Sequence, residues 1–172
     1  SYIVSGGRWT IYESQVMNRA ESPVHRGEYS VDILEGLKVK DVMAGDVVTL
    51  SPSSPAREFL RLLRSTGHTA YPVLDEDGKL VGIVSFRDVL KVPADELDKV
   101  RVEQIMSRKL LTASPEESLA SALRKIHESG YSHLPVVDPS DPSKLLGIIT
   151  RRDILKGHEM ARHEAEGAAE AS

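Results

Sequence analysis

The chain repeats itself, and no other feature of its sequence restricts the fold as tightly. Val39-Lys40-Asp41-Val42-Met43 returns as Val102-Glu103-Gln104-Ile105-Met106, a displacement of 63 residues. The same displacement carries Pro52 to Pro115, Gly67 to Gly130, Pro72 to Pro135 and Asp75 to Asp138. Further on, Gly82-Ile83-Val84-Ser85-Phe86-Arg87-Asp88 matches Gly147-Ile148-Ile149-Thr150-Arg151-Arg152-Asp153 at a displacement of 65. The two extra residues fall in Pro139-Ser140-Asp141-Pro142-Ser143, a turn-rich stretch where lengthening a loop costs little. A duplicated unit of this size buries its apolar face against its own copy.

Each copy reads as β-α-β-β-α. A short apolar strand opens it, Val47-Val48-Thr49-Leu50 or Leu110-Leu111-Thr112. A helix follows, with Ser54 as cap and Pro55 at its first position in copy one. Phe59, Leu60, Leu62 and Leu63 form its apolar face, as Leu119, Ala122, Leu123 and Ile126 do in copy two. Gly67 and Gly130 stand where a left-handed cap would end each helix. Tyr71-Pro72-Val73-Leu74-Asp75, a turn at Glu76-Asp77-Gly78-Lys79 and Leu80-Val81-Gly82-Ile83-Val84 then read as a strand pair, and Arg87-Asp88-Val89-Leu90 starts another helix. The expected fold class is α/β (α+β): two tandem β-α-β-β-α motifs packed as a pseudo-symmetric pair, with an N-terminal helical segment. The divisions expected are residues 1–36, a segment outside the repeat; 37–92 and 93–156, the two copies; and 157–172, an Ala- and Glu-rich tail expected to fray.

Charge and composition exclude several classes. Lys and Arg total 22 against 26 Asp and Glu among 172 residues, a formal net charge of −4. That balance argues against a nucleic-acid binder. The chain has no Cys, so disulfides and thiolate metal sites are ruled out. Its six His offer no ligand set. His158 and His163, five apart, point to different sides of a helix, and His127 and His133 bracket a glycine turn without acidic partners, so these read as surface or cleft residues. No nucleophile elbow, phosphate loop or paired carboxylates are present. No catalytic residue and no metal are expected. The chain opens on Ser1 and is expected to be a piece of something longer. No apolar run reaches the roughly 18 residues that span a bilayer.

With Gly67 to Asp75 and Gly82 to Asp88 in copy one, and Gly130 to Asp138 and Gly147 to Asp153 in copy two, the sequence resembles the CBS domain family over roughly residues 37 to 156. The resemblance implies two pseudo-symmetric clefts between the copies, which in this family often take AMP, ADP, ATP or S-adenosylmethionine and report to an attached enzyme or transporter. It also implies a homodimer formed through helical faces. Thr150-Arg151-Arg152-Asp153 leaves a strand and enters a helix, whose N-terminus favours phosphate. The Asp153 carboxylate can accept from ribose hydroxyls, Thr150 can reach a phosphate, and Arg151 or Arg152 can pair with it. By resemblance, Thr49, His68, Thr69 and Tyr71 of copy one supply the purine contacts of this first cleft. The second cleft would use Ser85, Arg87 and Asp88 with Thr112, Tyr131, Ser132 and His133, and its single Arg makes the Asp153 cleft the better phosphate site. The alternative reading is that Asp88 and Asp153 only cap their helices.

Ser5-Gly6-Gly7-Arg8-Trp9-Thr10-Ile11-Tyr12 resembles the last membrane helix of ClC-type chloride channels and transporters, with Tyr12 at the position of a chloride-holding tyrosine. Arg19 to Gly27 would then be a linker. This implies a regulatory domain on the cytoplasmic face of an integral membrane protein, with a membrane-embedded transport domain of the same polypeptide as partner. On patterning alone, Trp9, Ile11, Tyr12 and Val16 equally suit a helix packed on the module. The other readings are a free-standing sensor, the regulatory part of a soluble enzyme, or a dimerising scaffold that binds no ligand.

Overall fold

The computed structural model describes residues 30–171. Residues 31–171 cluster as one compact unit. In chain order its elements are α1 (Val31–Gly36), α2 (Val39–Val42), α3 (Arg57–Thr66), β1 (Ala70–Leu74), β2 (Leu80–Ser85) and α4 (Phe86–Leu90). A 3-10 turn at Ala94–Glu96 leads into α5 (Val102–Ile105), α6 (Leu119–Ser129), β3 (His133–Asp138), β4 (Asp141–Thr150) and α7 (Arg151–Ala171). β1 pairs antiparallel with β2 and β3 with β4, making two two-stranded sheets. Both predicted glycine caps hold: Gly67 at φ 78° and Gly130 at φ 76° end α3 and α6, and their N–H groups donate to Leu63 and Ile126. These are left-handed conformations that a side chain would strain.

The two copies exchange their opening segments. Lys38 bridges to Ser118 of copy two, and Arg101 bridges to Pro55 of copy one. The amides of Val39 and Lys40 donate to the carbonyls of Glu117 and Pro115 (2.8 and 3.0 Å), while those of Val102 and Glu103 donate to Ser54 and Pro52 (2.8 and 3.0 Å). Ala44 lies beside Ile148 of β4, and Ser107 beside Ile83 of β2, each as a third-strand bridge on the other copy's sheet. Every one of these contacts has its counterpart under the pseudo-twofold. The first copy's core therefore contains residues from the second: Val102 and Met106 are buried with Leu50, Phe59, Tyr71, Val73 and Val84. Phe59 anchors it, with its ring 5.2 Å from Tyr71 in an edge-on contact and 6.4 Å from Phe86 in a stacked one.

The structure departs from the sequence expectation at several places. The opening strands, Val47–Leu50 and Leu110–Thr112, reduce to single parallel bridges, Leu50 to Val73 and Ala113 to Val136. Leu50 ends the first expected strand and Ala113 lies one residue past the second; each bonds to the neighbouring strand through both its N–H and its C=O. Ser54 does not cap α3: the cap position is Ala56, without a side-chain bond, and Pro55 is occupied in the bridge to Arg101. In copy two the residue equivalent to Pro55, Ser118, caps α6 by accepting from the Ser121 amide at 3.1 Å. Residues 31–36, the end of the segment expected outside the repeat, form α1, which buries Leu34 and packs on α6 and α7. The tail expected to fray continues α7 to Ala171. Ala and Glu are strong helix formers, and Arg162 pairs with Glu159 and Glu166 at 2.9 and 2.8 Å along that helix. His158, read as a surface or cleft residue, is 2% exposed on α7 and so lies in the interior.

Candidate functional site

Two strand-to-helix junctions face the seam between the copies, and both are built as capping boxes. At α7, the Asp153 Oδ2 accepts from the Thr150 amide at 2.9 Å, and the Thr150 Oγ1 accepts from the Asp153 amide at 3.1 Å. At α4, the Asp88 Oδ2 accepts from the Ser85 amide (2.9 Å) and hydroxyl (3.0 Å), and the Ser85 Oγ accepts from the Asp88 amide at 3.4 Å. Capping, the alternative reading of these acids, is thus what they do here. It uses one oxygen of each carboxylate. Among the described residues neither Oδ1 has a hydrogen-bond donor. The junctions differ in strength: α7 runs 21 residues and starts with the exposed Arg151 and Arg152, whereas α4 has five residues and Arg87 alone. The longer helix aligns more peptide dipoles toward an anion.

At the seam β2 lies against β4. Thr69 and Ser132, equivalent residues of the two copies, place their hydroxyls 3.5 Å apart. Each also fixes the opening of a helix: the Phe86 amide donates to the Thr69 carbonyl (2.9 Å) and the Arg151 amide to the Ser132 carbonyl (3.3 Å). The His68 ring stands edge-on to His133 with centroids 5.5 Å apart, and the Ser132 hydroxyl is 2.9 Å from the His133 Nδ1. Burial, and then the His68 ring, push His133 down to about 4, while the nearby Asp153 carboxylate opposes them. His68 and Thr69, expected in the first cleft, thus meet His133 and Ser132, expected in the second, and Asp153 lies near His133.

The expected residues divide by exposure. Thr49, Thr112, Tyr131, Thr150, Asp88 and Asp153 are half-buried, and His68, Thr69, Ser132, Arg87, Arg151 and Arg152 are exposed. Ser85 and His133 are buried but at the seam. Tyr71 is a correction: it is 1% exposed, packs on Phe59 in the first copy's core and bonds its hydroxyl to Thr66, so its side chain is not offered to a ligand. Tyr12 lies outside the described residues. A cavity of about 350 Å³ opens on the second cleft, lined by Ile83, Leu110, Leu111, Tyr131, His133 and Pro135 among others. Sequence reasoning missed its apolar wall. It also missed Lys125, whose Nζ donates to the Thr112 carbonyl at 2.8 Å and pairs with Glu117 at 2.9 Å. The signal was available, because the repeat aligns Lys125 with an apolar residue, Leu62.

The comparisons agree with this architecture. The CBS domain profile matches twice, over residues 39–95 and 102–158. An uncharacterized protein of Methanocaldococcus jannaschii is 34% identical over 122 residues, which are 70% of this chain and 43% of that protein. The inosine-5'-monophosphate dehydrogenase of the same organism is 35% identical over 119 residues, 69% of this chain and 23% of the enzyme. The chain thus spans less than half the length of these curated relatives. The crystal structure of CBSX2 in complex with AMP superposes with a TM-score of 0.65 at 30% identity, covering 74% of this chain and 99% of that one.

These findings overturn the expected placement in an integral membrane protein. Among the described residues no helix is long and apolar enough to cross a membrane. The longest, α7, carries Arg151, Arg152, Asp153, Lys156, Glu159 and Arg162, charges that hydrocarbon would not accept. The relatives named above are a dehydrogenase and an uncharacterized protein, and the transport domain expected as a partner finds no support in them. By its two profile matches, its exchanged pair of β-α-β-β-α units and its likeness to solved pairs, this chain belongs to the CBS domain family.

Proposed function

We propose that the pair is a regulatory module that binds an adenine nucleotide between its copies, free-standing or as the regulatory part of an enzyme, and is not itself catalytic. The observation that carries this reading is the Asp153 capping box: one carboxylate oxygen holds the start of α7, and the other is left for ribose hydroxyls at the seam. The 21-residue helix, Arg151 and Arg152 then offer a place for phosphate. AMP bound to CBSX2 supports the ligand class. Binding would tie the two copies together and stabilise them by RT ln(1 + [L]/Kd).

Isothermal titration of the chain with AMP, ADP and ATP, and with S-adenosylmethionine as competitor, tests the proposal. Asp153→Asn keeps an acceptor for the Thr150 amide but loses the charge and the second oxygen. It should weaken binding about tenfold or more, the loss of a charged hydrogen bond of about 1.5–3 kcal/mol. Asp153→Ala should weaken it as much and also lower stability by about 1 kcal/mol through the lost cap. Unchanged affinity in both variants would refute the site. No binding of any of the four ligands to the folded chain would favour the scaffold reading.

A further inference from the structure

We infer that the two clefts are not equivalent, and that Lys125 is the residue that closes the second one to an adenine ring. This rests on the nucleotide-binding reading above. Leu50 and Ala113 occupy the same place in their copies. The Leu50 amide donates to the Pro72 carbonyl at 3.0 Å and its carbonyl accepts from Leu74 at 3.0 Å, and Ala113 does the same with Pro135 and Val137 at 2.9 Å each. Both polar groups of these residues therefore face the neighbouring strand. In extended backbone successive residues alternate, so the N–H and C=O of Thr49 and Thr112 face the opposite, open edge.

An open edge of this kind can read adenine. A backbone N–H can donate to the ring N1, and the C=O beside it can accept from the exocyclic amine. Guanine presents the reverse pattern and would be refused. At Thr49 the carbonyl accepts no hydrogen bond among the described residues. At Thr112 the carbonyl is already occupied by the Lys125 ammonium at 2.8 Å. That ammonium is held by Glu117 at 2.9 Å, and Glu117 is fixed in turn by the Ser114 amide (3.2 Å) and the Ser121 hydroxyl. The aligned residues of copy one are Ser54 for Glu117 and Leu62 for Lys125, and Leu62 packs on the first core. Copy one cannot make the lock. An adenine entering the second cleft would set its amine against a cation instead of an acceptor, even though a cavity lined by the neighbouring Leu111, Tyr131 and His133 opens there. One chain should therefore hold one adenine nucleotide, in the cleft of Thr49 and Asp153.

Titration with AMP decides it, using the wild type, Lys125→Leu and Lys125→Met, with thermal unfolding to verify that each variant is folded. Glu117 keeps its Ser114 and Ser121 bonds in both variants. The wild type should bind one AMP per chain, with the site abolished or weakened at least tenfold by Asp153→Asn and untouched by Asp88→Asn. Lys125→Leu or Lys125→Met should bind a second AMP, and Asp88→Asn in that background should remove it. Two sites in the wild type, one site that responds to Asp88→Asn alone, or folded Lys125 variants that still bind one AMP would each overturn the inference while leaving nucleotide binding intact. A wild type that binds no AMP would remove the reading beneath it.

Discussion

The exchanged segments cross the other copy's sheet at glycines, and that crossing makes a quantitative demand on the sequence. At Gly147 an added Cβ would stand 2.6 Å from the Ala44 carbonyl oxygen and 3.1 Å from the Met43 sulfur. The first distance is about 0.8 Å short of ordinary van der Waals contact, and the obstacle is backbone, which has no rotamer to change. The same oxygen accepts the Ile148 amide at 2.9 Å, and the Ala44 amide donates back to Ile148 at 2.9 Å. Gly147→Ala must push the segment off the sheet. Two backbone bonds at about 1 kcal/mol each, with about 1–2 kcal/mol of overpacking, give a loss of about 3–4 kcal/mol. At Gly82 the equivalent Cβ meets the Met106 sulfur at 2.6 Å and the Ser107 carbonyl at 2.9 Å. A thioether can turn aside, so Gly82→Ala should lose less, about 1–3 kcal/mol. Gly45→Ala, with nothing within 4 Å, is the control. Urea unfolding followed by circular dichroism reads all three as midpoint shifts at constant slope. A Gly147→Ala protein within about 0.5 kcal/mol of Gly45→Ala would refute the exchanged arrangement, since surface substitutions commonly fall in that range.

Two further perturbations separate core from site. Because burial lowers His133 to about 4 from an ordinary 6.5, the unfolded chain takes up its proton first as the medium is acidified. The stability that depends on neutral His133 is complete above pH 6.5 and is lost as pH falls toward 4, about 3 kcal/mol in all. Urea midpoints measured from pH 7.5 to 4 should show that slope, with His68 and Asp153 as the charged neighbours, and His133→Gln should flatten it. Tyr71→Phe removes only the hydroxyl bond to Thr66, so unfolding should shift by about 1 kcal/mol while AMP affinity stays unchanged. A fall in affinity would put Tyr71 back in the cleft.

Local chemistry made much of this chain legible. The glycine caps, the two strand pairs and the Ser/Thr-x-x-Asp junctions each follow from residues within a few positions of one another, so the repeat displayed them twice. What stayed hidden depends on partners far along the chain. Nothing in Val39 or Val102 says that each completes the other copy's core rather than its own. Tyr71 carries the size and polarity of a ligand contact, and only the placement of Phe59 and Thr66 shows where it is spent. Ser54 has the chemistry of a cap, but its carbonyl is taken by Val102 in the exchange. His133 reads as a cleft residue, and only the fold shows that it is buried beside the other copy's His68 with its pKa lowered.

The exchange also limits how such a module can signal. Val39 and Val102 are fully buried in the opposite copy, and withdrawing each side chain costs about 1.5–3 kcal/mol. The backbone bonds at each crossing, among them Val39 to Glu117 and Val102 to Ser54 at 2.8 Å, must break in the same motion. Parting the copies would therefore consume most of the 5–15 kcal/mol that holds a typical domain folded. A ligand at the seam cannot work by opening the pair. It can work only through its differential affinity for arrangements that keep the crossings intact, and the seam offers a place for them. There β2 lies against β4, and the hydroxyls of Thr69 and Ser132 and an edge-on pair of imidazoles add polar contacts between the copies. Each of those hydroxyl residues also holds the first turn of α4 or α7 through its carbonyl, so the seam is tied directly to both helix starts.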